Sequence, residues 1–153
     1  MSDYKTVCQR IKADGYATEH DYATDLVEII EQHDLWQYDR LPAQINLEAP
    51  AQGAAYAANI SISGWAVGAA RVDIYADYSS IHKTGLASIG NFTDRPDVNR
   101  IINPFSWYPN AVKSGFGCLV PRGRLKPGSH SIDAAAITNG GNVVWAHKNI
   151  VIR

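Results

Sequence analysis

Two spacings of apolar residues divide the chain. Over residues 3 to 39 they recur with a helical period: Tyr4, Val7, Cys8 and Ile11 fall at i, i+3, i+4 and i+7, which predicts a short first helix with one apolar stripe. Gly15 is placed to end it in a left-handed cap. Thr18 then opens a second helix, with Asp21 three residues on in a capping-box-like pair, and Glu19 and Asp21 suit the positive end of its dipole. Its expected apolar face is Tyr22, Leu26, Ile29, Ile30 and His33. A hairpin of this size cannot bury its own stripe, so it is expected to pack on something else.

From Leu41-Pro42 onward the period changes to two. In "NISISGWAV" and "ARVDIYAD", Ile60, Ile62, Val72 and Ile74 face one way and their neighbours the other. The segments "GFGCLV", "SHSIDAAAIT" and "NVVWAHKNIVIR" read alike, separated by the turn signals "RLKPGS" and "TNGGN". Short strands at this spacing predict a mainly β fold: an immunoglobulin-like antiparallel β-sandwich over residues 41 to 153, preceded by the N-terminal α-helical hairpin over 1 to 40. Gly90 to Ser114 breaks the pattern and reads as a long connection with one helical turn near Val98 to Ile102. Connections of that length often carry function.

Charge and composition narrow the function classes. The formal net charge is −1, so no basic field exists to gather nucleic acid or an anionic membrane surface. No run approaches the roughly 18 apolar residues a membrane helix needs. The two cysteines, Cys8 and Cys118, form no C-x-x-C pair; two free thiols and one long-range disulfide both fit. His20, His33, His82, His130 and His147 are scattered without ligand spacing and the acids form no calcium loop, so neither metal nor cofactor is expected. "MSDYKTVCQRIKADG" has no apolar core of a secretory signal.

The segment "IKADGYATEHDYATDLVEIIEQHDLWQYD" resembles the C-terminal end of the catalytic domain in bacterial and phage N-acetylglucosaminidases of glycoside hydrolase family 73, which carry "GYATDPxYAxxL", an isoleucine pair and a closing "L..YD". The match spans about residues 9 to 39. Glu19 and His20 stand where that family has Asp and Pro, a change that bears on helix capping rather than on fold. The resemblance implies an upstream catalytic domain holding the essential glutamate, and it nominates Tyr16 for sugar contact; the alternative is that Tyr16 is a packing staple at the start of the helix. A glycosidase needs a positioned acid and a second group across the scissile bond. Glu19, Asp21, Asp25, Glu28 and Glu31 lie on one hairpin at solvent-face spacing, so no hydrolysis is expected of this chain alone.

A second resemblance covers about residues 55 to 153. "ISGWAV", "VDIYAD", "RPDV", "YPNAVKSGFGCLV" and "LKPGSHSIDAAAITNGGNVV" are similar, in this order, to the repeated immunoglobulin-like modules of Gram-positive cell-surface proteins and wall lysins. Such modules follow lytic domains, and the resemblance implies wall binding or spacing. A chain made without a signal peptide and acting at the wall fits a phage lysin produced in the cytoplasm, and equally a short product or a fragment of a longer lysin, phage or bacterial.

Read physically, "RPDV" is a loop pin: Pro96 extends Arg95, and Arg95 and Asp97 can pair. In "SGFG", Phe116 is a core anchor between Gly115 and Gly117, which admit another backbone. Trp65 is expected in the core, with the opposite face as the alternative. "NPFSWYPN" is different, because Phe105, Trp107 and Tyr108 crowd a loop between two prolines. Aromatic rings beside Asn103, Asn110 and Arg95 can stack on sugar C–H faces and bind hydroxyls, or they can plug one end of the sandwich. Tyr75, Tyr78 and Trp145 are weaker candidates for the same role. The expected function is non-catalytic binding of peptidoglycan or a secondary wall polymer, targeting a glucosaminidase to the Gram-positive wall. The rivals are a piece completing a split glucosaminidase, with Tyr16 at the groove, and a spacer or self-associating homo-oligomer.

Overall fold

The computed structural model describes residues 4–15, 21–33 and 41–153. The chain divides into two compact units, Met1–Leu41 and Pro42–Arg153. In the first, the helical period yields α1 (Tyr4–Ala13) and α2 (Tyr22–Gln32). Gly15 adopts φ 75° and donates its N–H to the Lys12 carbonyl, closing α1 in the expected left-handed turn. The hairpin is antiparallel, because Glu31 at the end of α2 accepts a hydrogen bond from the Tyr4 hydroxyl and pairs with Lys5 at the start of α1. On α1 Cys8 is buried, while Val7 is exposed. The inward side of α2 is Ala23, Leu26, Val27 and Ile30, itself an i, i+3, i+4, i+7 set, so Ile29 and His33 point to solvent rather than inward. Thr18, Glu19 and His20, the expected start of that helix, lie outside the described residues.

The second unit is mainly β, with two sheets. Its elements are β1 (Gln44–Ala49), β2 (Ala54–Tyr56), β3 (Ile60–Val67), β4 (Arg71–Ala76), β5 (Thr84–Ile89), β6 (Thr93–Asp94), α3 (Pro96–Ile102), β7 (Lys113–Val120), β8 (Gly128–Ile137) and β9 (Val143–Ile152). Sheet order is β1-β3-β7-β6 in one and β2-β9-β8-β4-β5 in the other. All pairings are antiparallel except β2 with β9, where Ala55 lies opposite Val151 in a parallel register. That departs from the all-antiparallel expectation: the chain passes from β1 into the other sheet and its short β2 runs alongside the last strand.

Alternation explains the core. Leu47, Ile60, Ile62, Phe116 and Val120 from one sheet join Val72, Ile74, Ile132, Ala134 and Ile150 from the other in one buried cluster. Each large side chain there contributes about 1.5–3 kcal/mol by leaving water. Phe116 needs room from its neighbour. A Cβ on Gly64 would overlap the Asn46 carbonyl and stand 2.9 Å from the Phe116 ring. On the outer face of β3 a smaller cluster forms from Val67, Val98, Tyr108 and Ala111, with Trp65 and Ile102 packed against it. Trp65 therefore belongs to the opposite face, not to the main core. The irregular stretch supplies this cover, and its helical turn is the two-turn helix α3, with Pro96 in its first turn.

Candidate functional site

Between α3 and β7 the chain turns sharply, with Ser106 and Asn110 at φ 55° and 60°. Asn103 organises this turn from a buried position. Its side-chain amide accepts the Tyr108 N–H at 2.8 Å and donates to the Tyr108 carbonyl at 2.9 Å and to Asn99 at 3.0 Å. Tyr108 is drawn inward, 6% exposed, and its hydroxyl donates to the Pro42 carbonyl and accepts from Gln44, each at 3.0 Å. With ring and hydroxyl both engaged, Tyr108 has no face for a ligand. It is an anchor, which corrects its nomination as a glycan contact.

The anchor leaves its neighbours outside. Phe105 and Trp107 are 72% and 64% exposed, their ring centroids 5.3 Å apart and their planes inclined by 34°. Two large apolar rings side by side in water, on a turn pinned by a buried amide and a buried phenol, form a preorganised platform. Asn110 is exposed close by in sequence.

Arg95 does not join this platform. Its guanidinium donates to both oxygens of Glu48, at 2.8 and 2.9 Å, and to both oxygens of Asp97, at 3.0 and 2.8 Å. Hydrogen bonds from Arg95 outweigh desolvation and hold the Asp97 carboxyl at about 2, below the ordinary carboxylate range. Four of the five guanidinium N–H groups are thus committed, which fits the loop pin that "RPDV" admits and leaves one N–H for a ligand. Tyr16 lies outside the described residues. Of the hairpin acids, Asp21, Asp25, Glu28 and Glu31 are exposed; the Lys5 ammonium, then the Tyr4 hydroxyl, lowers Glu31. Cys8 and Cys118 are free thiols, and burial pushes Cys118 up.

A second aromatic group stands on the outer face of the five-stranded sheet. Tyr78 lies 4.3 Å from Trp145 and 5.0 Å from Tyr75, ring centroid to centroid. Beneath it, Asp133 accepts from the Tyr78 N–H and the Ser131 hydroxyl. Among the described residues no three His, Cys, Asp or Glu side chains gather as metal ligands, and no helix is long and apolar enough to cross a membrane.

No protein-family model and no curated protein sequence matches the chain. Among solved structures it is similar to fibronectin(III)-like modules of CbhA from Clostridium thermocellum, at 15% identity and TM-score 0.40, covering 72% of this chain and 96% of that one. It is also similar to CopC from Methylosinus trichosporium OB3b, at 11% identity and TM-score 0.39, with 71% and 93% covered. Murine CRIg gives 11% identity and TM-score 0.35, with 74% and 98% covered. Similarity at this level assigns the chain to none of these families.

Proposed function

We propose that this chain is a non-catalytic carbohydrate-binding module of a peptidoglycan hydrolase, in which an immunoglobulin-like sandwich, Pro42–Arg153, holds a Gram-positive wall polymer and the helical hairpin is the end of a glucosaminidase domain. The observation that carries this reading is the exposed Phe105–Trp107 pair on its pinned turn. Adjacent flat rings favour the C–H faces of successive sugars, with hydroxyls left to amides such as Asn110. The order of the wall-module motifs along residues 55 to 153 supports the choice of a bacterial wall as the target, and the family 73 resemblance supports an upstream catalytic partner. A platform of two rings gives weak single-site binding, which linkage to a catalytic domain or to further modules would strengthen.

Co-sedimentation with purified Gram-positive walls, intact and stripped of secondary polymers, tests the reading. The intact chain is expected to pellet with walls, and Phe105→Ala and Trp107→Ala to pellet less while keeping the wild-type circular dichroism spectrum. Stripped walls identify the polymer. A folded wild-type chain that stays in solution rejects wall binding.

A further inference from the structure

The end of the second unit opposite the Phe105–Trp107 turn carries an unassigned surface. Here the β4–β5 and β7–β8 connections enclose a cleft of about 620 Å³ lined by His82, Lys83, Arg124, Lys126 and His130, with Asp77 as its only acid. Asp77 is already committed: one oxygen faces His130 Nδ1 at 2.7 Å and the other accepts the Ser131 N–H at 3.0 Å. The second ring nitrogen of His130 faces the Lys126 carbonyl at 2.7 Å. Two acceptors on one imidazole favour the doubly protonated ring, which offsets the Asp77 charge within the cleft.

The other cations are unneutralised. Among the described residues, no salt bridge engages Lys83, Arg124 or Lys126. Three cations outside any salt bridge line one concave site in a chain of net charge −1, Arg124 with one N–H on the Gly85 carbonyl at 3.2 Å, and this local excess of positive charge suits an anion. Lys83 also joins the cleft to the aromatic face: its ammonium stands 4.5 Å from the Tyr78 ring centre and 5.2 Å from that of Tyr75. Tyr78 and Trp145, each 40% exposed, continue the surface from there.

We propose that this cleft and the adjoining Tyr78–Trp145 face form one binding surface for an anionic glycan, a saccharide chain bearing phosphate or carboxylate groups. The anion lies against Arg124 and Lys126, Lys83 marks the junction, and sugar rings run over Tyr78 and Trp145. A neutral glycan would leave the cations unmatched, and a bare polyanion would leave the rings unused. A membrane surface would find a single apolar tip, Ile81, which is 96% exposed. The proposal is independent of the Phe105–Trp107 platform.

Affinity electrophoresis of the intact chain in gels containing phosphorylated dextran, polygalacturonate or neutral dextran tests it, with flotation on phosphatidylserine vesicles in parallel. The wild type is expected to be retarded by phosphorylated dextran, polygalacturonate or both, less so as salt rises, and not by neutral dextran; the charged polymer that retards it identifies the anion. Arg124→Gln with Lys126→Ala should weaken binding at least tenfold and Tyr78→Ala several-fold. The proposal is overturned by a folded wild type that no charged dextran or polygalacturonate retards, by equal retardation in neutral dextran, or by unchanged binding after Arg124→Gln with Lys126→Ala. Unchanged binding in Tyr78→Ala, or vesicle binding without glycan binding, overturns it as well.

Discussion

Arg95 and Glu48 come from opposite edges of the four-stranded sheet, and two hydrogen bonds of 2.8 and 2.9 Å join them across its outer face. Arg95 directly follows edge strand β6, while Glu48 lies on β1. The path is open because Gly115 has no side chain: a Cβ there would overlap the Thr93 hydroxyl and stand 2.9 Å from Arg95 Cγ. Arg95 thereby clamps the sheet and, through Asp97, fixes the start of α3 that carries the aromatic turn.

The clamp predicts an acid-sensitive loop. Arg95→Ala should cost about 1 kcal/mol through the partly exposed Glu48 pair, and Arg95→Lys should recover little of it, because an ammonium cannot form the paired fork. Asp97 has a folded value of about 2 against an ordinary 3.8, so its contribution is present above pH 3.8 and disappears as pH falls towards 2. Thermal melts should therefore separate wild type from Arg95→Ala at pH 6 and bring them closer between pH 4 and 2. A constant gap over that window would remove Asp97 from the account.

Gly64 and Gly85 make a matched pair. Both lie in strands, but a Cβ on Gly64 meets the Asn46 carbonyl of the paired strand and the Phe116 ring, whereas a Cβ on Gly85 meets nothing within 4 Å. Gly64→Ala should lower stability by about 3 kcal/mol, as overpacking against backbone does, and Gly85→Ala should be neutral or slightly stabilising. The urea midpoints of the two variants decide this.

Trp107 and Tyr108 are neighbours with opposite duties. Tyr108→Phe removes the hydrogen bonds to Pro42 and Gln44 and should cost about 1–2 kcal/mol, leaving glycan binding near wild type once folded. Trp107→Ala removes an exposed ring and should leave the melting temperature within about 2 °C while weakening wall binding. Melting curves and wall sedimentation on the same two proteins separate anchor from contact. Loss of wall binding in Tyr108→Phe under folded conditions would reverse the assignment.

How far the sequence speaks can be judged from particular strands. β3, β4 and β9 alternate with β-branched or aromatic residues over six to ten positions, and their period is visible. β5 reads "TGLASI", poor in strand formers, and is a strand because β4 offers it a partner edge. β2 is three residues long and owes its existence to parallel pairing with β9, a contact no local pattern announces. The candidate site divides in the same way. Crowding of aromatics marked the loop that carries the exposed rings, but which ring turns inward depends on the Asn103 amide and on the distant Pro42 carbonyl. Arg95 was ambiguous for a similar reason, since its partner Glu48 is 47 positions away. The basic cleft carried no signal at all: "HK" and "RLK" are unremarkable until the β4–β5 and β7–β8 connections bring them to one end of the fold.

His130 gives the pH dependence on the alkaline side. Desolvation of its ring opposes the charged form, but the Asp77 carboxylate and the Lys126 carbonyl outweigh it, so its value lies above the ordinary 6.5. A raised folded value means that the stabilisation is complete below pH 6.5 and is lost as pH rises through the folded value. Melting temperatures taken from pH 5.5 to 8.5 should therefore fall for wild type and stay flatter for His130→Asn, which has no imidazole to titrate. Asp77→Asn removes the stronger acceptor partner and should move the wild-type transition to lower pH. Parallel curves for wild type and His130→Asn would show that the Asp77–His130 contact does not depend on the ring's charge. Because Lys126 frames the same contact, a loosened β7–β8 connection above that transition should also reduce any binding carried by Arg124 and Lys126.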